Sequence, residues 1–536
     1  MATYDLVIRG AELIDGTGAS GRQADLAVAG DRITEIGQID RSRGRRVIEA
    51  TGLALAPGFV DIHSHSDYHL FLQPTADSAV RQGVTLEIGG NCGYAAAPIW
   101  GPWLEERAAT YRDLYGLDHT WQGVADYLDR LEACGISENF GLLMGHNTLR
   151  GSVMGGASRS PSSEELAAMV EGARRGMAEG ALGLSTGLVY PPACFSKPDE
   201  LIAIAVAVRD AGGVLTCHMR SEGDGLIEAI KEIISVVSRA AIPLQISHLK
   251  TSGERNWSKL AEAFRLIEEA RARGLDVSCD RYPYTASNTG LQAVLPTWAL
   301  EGGQQERVER LRDPAARVCI AGELTTHYTA DYWSQLMISE VTREEHRHYE
   351  GLRVAEAAKR VEKLPIDFVL DLLIAERMQV DAIFFTMCEE NLEAILRKPY
   401  AMIGSDSGCR GHEGPLSRGR PHPRTFGTFP RVLGHYARDK RILDLPTAVK
   451  MMTWEPCRKL GLMDRGRLRP GCVADLALFD PATVSDRATY DAPIQYPVGI
   501  HHVFVNGVAV VEAGEHTGAR PGRAVRKRSP KPYRGG

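Results

Sequence analysis

The sequence predicts an α/β protein whose main part is a (β/α)8 TIM-like barrel. Two observations predict this fold: strand-like and helix-like segments alternate along most of the chain, and several apolar runs end in residues that can bind metal. A third observation, alternating strand-like runs at both ends, predicts a small β-sandwich domain formed by both termini. The predicted parts are residues 1–56 and 465–536 for this β-domain and residues 57–464 for the barrel.

The two ends of the chain resemble each other in pattern. Residues 25–28 and 32–36 alternate apolar and polar side chains between glycines, and residues 474–479 and 502–510 do the same. Neither set alone makes a stable sheet, so we expect the two to pair in one domain. The tail after about Gly522 is rich in Lys, Arg, Gly and Pro, and we expect it to be loosely ordered.

Between the two ends, helix-like and strand-like segments follow one another. A helix is predicted from Ser163 toward Gly180, and a strand follows it over residues 181–186. Further predicted helices are 200–210, 226–240 and 257–273. This succession is typical of a parallel β/α barrel.

One interval breaks that rhythm. Asp280 ends the probable seventh barrel strand and Ala401 begins the eighth, and the chain between them is far longer than one helix and two loops need. We therefore expect an inserted lid subdomain at about residues 290–400, placed by topology over the mouth of the barrel.

Five short apolar runs lead into residues with metal-binding or proton-transfer chemistry. They are residues 57–62 before His63 and His65, 84–88 before Cys92, 213–217 before His218, 243–247 before His248, and 401–405 before Asp406. The last residues of strands so far apart in sequence meet only if the strands lie side by side and parallel, as they do at the C-terminal end of a barrel. His63 and His65 would share one face because residues i and i+2 of a strand point the same way.

Zinc prefers nitrogen and sulfur ligands, and catalytic zinc sites commonly use three protein ligands, a set that Cys92, His218 and His248 would supply. Taken singly, each has an ordinary alternative: Cys92 as a buried core thiol, and the histidines as barrel side chains bonded to backbone. The repetition at five strand ends argues against all of these alternatives together. Asp406 lies in a small-residue turn where its carboxylate could act as general base and then general acid, although Asp is also a common turn former.

Several motifs occur in the order of a known family. They are His63-Ser64-His65, Gly90-Asn91-Cys92-Gly93, the segment 183–190, the segment 245–250, Asp280-Arg281-Tyr282-Pro283-Tyr284 and Gly404-Ser405-Asp406. The chain resembles the D-aminoacylase (N-acyl-D-amino-acid deacylase) family of the amidohydrolase superfamily from Gly10 to about Gly522. The resemblance implies a zinc enzyme that hydrolyses N-acyl-D-amino acids to a carboxylate and a free D-amino acid.

The resemblance also implies roles for individual residues. A tight zinc site would use Cys92, His218 and His248, a weaker second metal position would use His63 and His65, and Asp406 would be catalytic. Residues implied to bind the substrate carboxylate are Lys250, Tyr190, Tyr282 and Ser287, for which an ordinary loop serine is the alternative. The predicted fourth strand lacks the lysine that bridges two metals in hydantoinase-type relatives.

The segment 290–296 is uncharged, which favours neutral or hydrophobic D-amino acids over D-glutamate. Arg410, Arg418, Arg420 and Arg424 nevertheless follow Asp406 closely, and any of them could enter the pocket. Alternative functions are an N-acyl-D-glutamate deacylase, a hydrolase of dipeptides, cyclic amides or lactones, and a barrel that has lost catalysis.

Composition narrows the class of partner. The chain has 536 residues and a formal charge of −6, which favours a small-molecule substrate over nucleic acid or an anionic membrane. The N-terminal sequence lacks the basic and apolar regions of a secretion signal, and the ten cysteines have no disulfide-like spacing. We therefore expect a cytoplasmic protein; the sequence does not indicate its oligomeric state.

Overall fold

The computed structural model describes residues 3–527. The first five strands are β1 (Tyr4–Leu13), β2 (Arg22–Ala29), β3 (Arg32–Gly37), β4 (Gly44–Glu49) and β5 (Ala54–Pro57). One edge of β1 pairs with β2, and its other edge pairs first with β4 and then with β5. Along this second edge, the N-terminal and C-terminal parts of β1 therefore have different neighbours, as expected where a sheet divides into layers.

The barrel follows directly. Its first seven strands are β6 (Phe59–Asp61), β7 (Val84–Gly89), β8 (Asn139–Gly145), β9 (Gly183–Gly187), β10 (Val214–His218), β11 (Leu244–Ile246) and β12 (Val277–Arg281). Every residue of these strands is buried, which is typical of parallel strands covered by helices. The fourth of them, β9, contains no lysine, in agreement with the sequence prediction.

An insertion separates the seventh barrel strand from the eighth. It contains β13 (Ser287–Gly290), β14 (Leu336–Val341) and β15 (Val380–Phe384), which form an antiparallel sheet with β15 in the middle. Side chains from Leu291 to Phe384 form a separate hydrophobic cluster under this sheet. The insertion therefore has a core of its own.

The eighth barrel strand is β16 (Ala401–Ile403), which pairs with β12. Beyond its end the chain meets the first strand again: the Asp406 amide donates to the His63 carbonyl at 2.8 Å, and the His65 amide donates to the Ser407 carbonyl at 3.0 Å. These bonds bring the first and last strands together at the C-terminal end, so eight parallel strands enclose the barrel, as predicted.

The helices are α1 (His69–Leu72), α2 (Asp77–Val80), α3 (Gly101–Tyr115), α4 (Val124–Cys134), α5 (His146–Met154), α6 (Ser163–Ala178), α7 (Pro198–Asp210), α8 (Leu226–Ala240), α9 (Leu260–Ala272), α10 (Gln304–Arg312), α11 (Pro314–His327), α12 (Val354–Arg360), α13 (Pro365–Ala375), α14 (Glu389–Leu396), α15 (Arg424–Arg431), α16 (Leu445–Met452) and α17 (Trp454–Leu460). α6 starts with a capping box in which the side chains of Ser162 and Glu165 bond each other's backbone amides. Among residues 3–527, no helix is long and apolar enough to cross a bilayer.

The C-terminal strands are β17 (Leu476–Phe479), β18 (Ile500–Val505), β19 (Val508–Glu512), β20 (Glu515–His516) and β21 (Ala524–Val525). β17 pairs with β5, so both ends of the chain share one nine-stranded sheet, as predicted. The expectation of a loosely ordered tail after Gly522 is wrong for residues 523–527, because β21 adds to the barrel beside β8. The remainder of that tail lies outside the described residues.

Candidate metal centre and active site

The residues that follow the barrel strands lie together at the C-terminal mouth. Single ligand atoms of His63, Cys92, His248 and Asp406 all lie within 4.8 Å of one another, and so do those of His218, Glu222 and His248. Cys92, His248 and Asp406 have left-handed backbone, with φ of 53°, 36° and 53°. Non-glycine residues adopt this conformation rarely and mostly where the surrounding structure holds them, often at functional sites.

The turn that presents Cys92 is held by its neighbours. The Gly93 amide donates to the Ser185 hydroxyl at 2.9 Å, and the Asn91 side-chain amide donates to the Ile88 carbonyl at 2.9 Å. Gly93 has a φ of +83°, and a Cβ there would lie 1.8 Å from Asn147 Oδ1. Only glycine fits this turn, which places the thiol inside the barrel mouth.

The thiol lies between two imidazoles. Cys92 Sγ is 3.3 Å from His63 Nε2 and 3.5 Å from His248 Nε2. On the other side of the group, Asp406 Oδ1 is 3.1 Å from His65 Nε2 and 3.4 Å from His63 Nε2. Zinc at its usual bond lengths with tetrahedral angles separates a sulfur and a nitrogen ligand by about 3.5 Å. The spacing of Cys92 and His248 fits that requirement.

Two carboxylates lie behind the histidines. Asp280 Oδ1 is 3.1 Å from His63 Nδ1 and also accepts the His248 amide at 2.8 Å. Glu222 Oε1 is 2.8 Å from His248 Nδ1. In both histidines the Nδ1 atom therefore faces a carboxylate while Nε2 faces the thiol, an arrangement that orients imidazole ligands in metal sites.

His218 completes the set from the end of β10. Its Nε2 is 3.6 Å from Glu222 Oε2, and its ring centroid is 4.3 Å from that of His248. Its Nδ1 atom is buried and has no hydrogen-bond partner within residues 3–527. A buried polar atom without a partner is costly, and a bound metal would satisfy it. A thiol and several imidazoles form the donor set that zinc prefers, so these residues fit a zinc ion.

Opposite charges control the ionisation of the group. Burial alone would raise the pKa of Cys92, but His63 and His248 hold it well below the usual range. Burial would also raise the pKa of Asp406, but Arg424 and the nearby histidines hold it well below its usual range. Burial works to lower the pKa of His65, yet its contacts with Asp406 and Cys92 raise it to about 9. The thiol and the carboxylate are thus kept anionic, as metal ligands and bases must be.

The predicted substrate residues lie next to this group. Lys250 is buried, and its Nζ is 2.5 Å from Glu222 Oε1 and 2.6 Å from His248 Nδ1. Its Nζ also lies 5.9 Å from the centre of the Tyr282 ring. The Tyr282 hydroxyl is buried and has no hydrogen-bond partner in the described part of the chain. It is therefore available to a ligand that enters the mouth.

Tyr190 lies on the opposite side, with its ring 4.8 Å from that of His218 and its hydroxyl 2.9 Å from Thr289 Oγ1. Ser287 differs from the other predicted residues. It begins β13 opposite Phe384, and within residues 3–527 its side chain makes no hydrogen bond. The contacts between β13 and the site come instead from Thr289 and from the Asn288 carbonyl, which accepts from Arg424 at 3.2 Å.

Sequence reasoning missed three residues of the site. Glu222 was not singled out, although it follows His218 by four residues, just after a strand. Asp280 entered only as a strand end and as part of a family motif, although a buried acid near the end of a barrel strand points toward the same mouth. Arg424 was one of four candidate arginines, and its ion pair with Asp406 at 2.7 Å selects it.

A parallel (β/α)8 barrel with thiol, imidazole and carboxylate groups converging at its C-terminal mouth defines a metal-binding barrel enzyme. The sequence profile of the amidohydrolase family matches residues 46–511. A D-aminoacylase from Alcaligenes xylosoxydans xylosoxydans is 36% identical over 524 residues, which cover 97% of each chain. The chain therefore belongs to the amidohydrolase family, in its group of D-aminoacylases and N-acyl-D-amino-acid deacylases.

Solved structures agree with this assignment. The N-acyl-D-glutamate deacylase of Bordetella bronchiseptica, complexed with zinc and a phosphonate mimic of the tetrahedral intermediate, superposes with a TM-score of 0.83 at 32% identity. A D-aminoacylase studied for its binuclear metal centre, with one-metal activation and second-metal attenuation, gives 0.82 at 36% identity. In both cases the match covers 98% of this chain and 100% of the other.

Proposed function

We propose that this protein is a zinc-dependent hydrolase that cleaves the amide bond of N-acyl-D-amino acids. The observation that carries the proposal is the group of Cys92, two imidazoles and Asp406 within 4.8 Å at the mouth of a barrel whose relatives are D-aminoacylases. A hydrolase of dipeptides, cyclic amides or lactones has less support, because the relatives that are 35–36% identical over 97–98% of this chain are a D-aminoacylase and deacylases of N-acyl-D-glutamate and N-acyl-D-aspartate.

In the proposed site, Cys92, His218 and His248 hold one zinc tightly, and His63 and His65 border a weaker second position. Bound zinc would supply a Lewis acid that polarises the substrate carbonyl. The outer partners Asp280 and Glu222 keep the histidine rings oriented toward the ion.

Asp406 is the proposed general base. Its Oδ1 faces His63 and His65, and its Oδ2 is paired with Arg424. From this position it would take a proton from the attacking water and return it to the leaving nitrogen, so that a carboxylate and a free amine result. The low pKa of its carboxyl keeps it ready to accept that proton at neutral pH.

Lys250 is the proposed anchor for the substrate α-carboxylate, with hydroxyls from Tyr282 and Tyr190. A charge-assisted contact from a buried ammonium gives both affinity and orientation. In the absence of substrate the Lys250 ammonium bonds Glu222, so substrate binding must share or displace that contact. The role of Ser287 in this anchor stays a prediction.

The expected preference for neutral side chains needs a different argument from the uncharged run 290–296. Leu291 and Val294 of that run pack into the core of the insertion, so their apolar character is explained by folding. A better argument is Asp381 on β15, an exposed residue whose carboxyl has many neighbouring groups around it. It lies opposite Glu340 in the sheet and makes no hydrogen bond or ion pair through its side chain within residues 3–527.

Asp381 faces the catalytic loop and α3. The groups that influence its charge are Glu340, Arg410 and Arg424, and it in turn influences Tyr111 of α3. Burial, together with Glu340, raises the pKa of Asp381 to about 6, so it is anionic at pH 7.5. An anion within electrostatic range of Arg424 would repel the side chain of N-acyl-D-glutamate and leave neutral side chains unaffected.

The proposed activity is tested with matched enantiomers. Zinc-loaded enzyme should release methionine from N-acetyl-D-methionine. Release from N-acetyl-L-methionine should be at least a hundredfold slower, because the anchor and the base position only the D configuration for attack. Equal rates on both enantiomers, or no hydrolysis of either, would overturn the proposal.

The side-chain preference is tested by Asp381→Asn. At pH 7.5 this change should raise kcat/KM for N-acetyl-D-glutamate by about tenfold, the effect of roughly 1.4 kcal/mol of removed repulsion, and leave N-acetyl-D-methionine within twofold. In wild type the same gain should appear on lowering the pH below about 6, because Asp381 then becomes neutral. If the ratio of kcat/KM for N-acetyl-D-methionine to kcat/KM for N-acetyl-D-glutamate stays the same after both changes, Asp381 does not set the preference.

Two further expectations remain proposals. The insertion at about residues 290–400 is proposed to act as a lid, because Thr289 and Asn288 of β13, at its start, contact Tyr190 and Arg424 at the mouth. A cytoplasmic location is supported by ten cysteines that are all unpaired.

A further inference from the structure

Arg424 is a buried cation in direct contact with the proposed general base. It is the first residue of α15 and only 3% exposed. Its Nη1 lies 2.7 Å from Asp406 Oδ2, as an ion pair that is not aligned as a hydrogen bond. The other oxygen, Oδ1, is left to face His63 and His65. The two oxygens of Asp406 therefore have separate partners.

The same guanidinium touches two other parts of the site. Nη2 donates to the carbonyl of Asn288, in the first strand of the insertion, at 3.2 Å. The guanidinium carbon lies 4.6 Å from the centre of the Tyr282 ring. Arg424 thus joins the general base, a proposed substrate residue and the insertion through one rigid planar group.

The backbone at Arg424 is also fixed. Its amide donates to His422 Nδ1 at 3.0 Å, and His422 Nε2 lies 2.9 Å from the carbonyl of Ala286. His422 is 2% exposed and therefore cannot swing away without repacking. These contacts hold the start of α15 against the chain that enters β13.

We infer that Arg424 is a positioning residue that holds Asp406 in its productive orientation and ties that orientation to the docked insertion. The inference rests on the proposed function, because it assigns Arg424 a task in that reaction. Asp406 has left-handed backbone and a carboxylate that can rotate about its terminal torsion. Fixing Oδ2 stops this rotation and keeps Oδ1 toward the reacting water.

Lysine could not replace arginine in this task. An ammonium carries the same charge but lacks the planar fork that spans Asp406, Asn288 and the Tyr282 ring together. Outer groups that orient catalytic or metal-binding side chains typically contribute about 10- to 100-fold to activity. Because Arg424 acts on the base, the loss should appear in kcat.

The test compares Arg424→Lys and Arg424→Ala with wild type on N-acetyl-D-methionine, with zinc content and thermal unfolding measured on the same samples. We expect zinc to stay bound and kcat to fall by about 10-fold for lysine and 100-fold for alanine, with KM within about threefold. Added guanidinium ion should restore at least tenfold of the kcat of Arg424→Ala, whereas sodium chloride at equal ionic strength should not.

Arg410→Ala is the matched control. Arg410 lies in the same loop and also ties it to the insertion, through Glu340 at 2.5 Å, but it makes no contact with Asp406. The kcat of Arg410→Ala should stay within about threefold of wild type and should not respond to guanidinium ion.

Three results would overturn the inference. They are wild-type kcat in Arg424→Lys, a rise in KM with kcat unchanged, and a folded, zinc-loaded Arg424→Ala that guanidinium ion does not rescue. If Arg424→Ala does not fold, the kcat of Arg424→Lys decides. Inactive wild type would instead contradict the proposed function, so the two failures are distinguishable.

Discussion

Two layers of charged side chains are buried in the barrel domain, and their neighbours shift their pKa values in opposite directions. The upper layer, at the mouth, contains Cys92, Asp406 and the histidines. The lower layer, between the first barrel strands and the helices α2 and α15, contains Asp61 and Glu87 together with Glu138, and all three are 0–2% exposed. Both layers are buried, so burial alone cannot explain the difference between them.

In the lower layer, like charges meet and few donors reach them. Asp61 accepts two backbone amides, whereas no group within residues 3–527 donates to either carboxyl oxygen of Glu138. Burial raises the pKa of Asp61 to about 6, and burial together with Asp61 raises that of Glu87 to about 8. At the mouth, cations lower the pKa of Asp406 and Cys92 instead. Neighbouring charge, rather than depth, decides which layer is ionised and can do chemistry.

The largest effect should come from the thiol of the upper layer. Cys92→Ala removes one ligand from the tight site and should lose most bound zinc and nearly all activity. His63→Ala is the matched variant, and it should keep most of the zinc while reducing activity. Metal analysis of both proteins after dialysis checks this, and equal zinc in wild type and Cys92→Ala would contradict the ligand assignment.

The next largest effect should come from Asp406, the proposed general base. Asp406→Asn keeps the size of the side chain but cannot accept a proton, so kcat should fall by about 10²- to 10⁴-fold while zinc stays bound. Steady-state kinetics with zinc analysis checks it. A kcat within threefold of wild type would place the base elsewhere.

A smaller effect is expected at the proposed anchor. Lys250→Met keeps much of the stem and removes the charge, and it should lower kcat/KM by about 1.5 to 3 kcal/mol. The loss should shrink on an N-acetyl-D-amino amide, which has no α-carboxylate. An equal loss on both substrates would mean that Lys250 acts only by holding Glu222 and His248.

The lower layer should affect stability rather than catalysis. The folded protein keeps a proton on Glu87 up to about pH 8, but the unfolded chain releases it near its usual pKa of about 4.3, so the free energy of unfolding should fall as pH rises between these values. One proton corresponds to about 1.4 kcal/mol per pH unit.

Glu87→Gln should flatten this pH dependence without a large change in kcat. Urea unfolding at pH 5, 6.5 and 8 measures it, with the exposed Glu171→Gln as control. An unchanged slope in Glu87→Gln would show that Glu87 is ionised in the folded protein and that the two layers do not differ as described.

The upper layer could largely be predicted from sequence, and the lower layer could not. His63, Cys92, His218, His248 and Asp406 each follow an apolar run, so strand periodicity and barrel topology brought them to one place. Asp61 and Glu87 lie within such runs, where a single acidic residue only interrupts the apolar pattern and does not indicate a site. Whether it meets a cation or another acid depends on the register between neighbouring strands, as with Asp61 opposite Glu87.

The partners from outside the strands were equally hard to predict. Arg424 lies 18 residues beyond Asp406, and only the fold of the intervening loop brings it back to that carboxylate. The role of Ser287 stays a prediction, and the residues of β13 that touch the site are its neighbours Asn288 and Thr289. The insertion itself was expected from chain length alone, but length does not define which side chains face the mouth.

The central claim is that a thiolate from Cys92 and neighbouring imidazoles bind zinc at the mouth of the barrel. X-ray absorption at the zinc edge of the purified enzyme tests it most directly. We predict one sulfur neighbour at about 2.3 Å with nitrogen or oxygen neighbours at about 2.0 to 2.1 Å, and no sulfur neighbour in any zinc that Cys92→Ala retains. A wild-type spectrum with nitrogen and oxygen neighbours alone would contradict the claim.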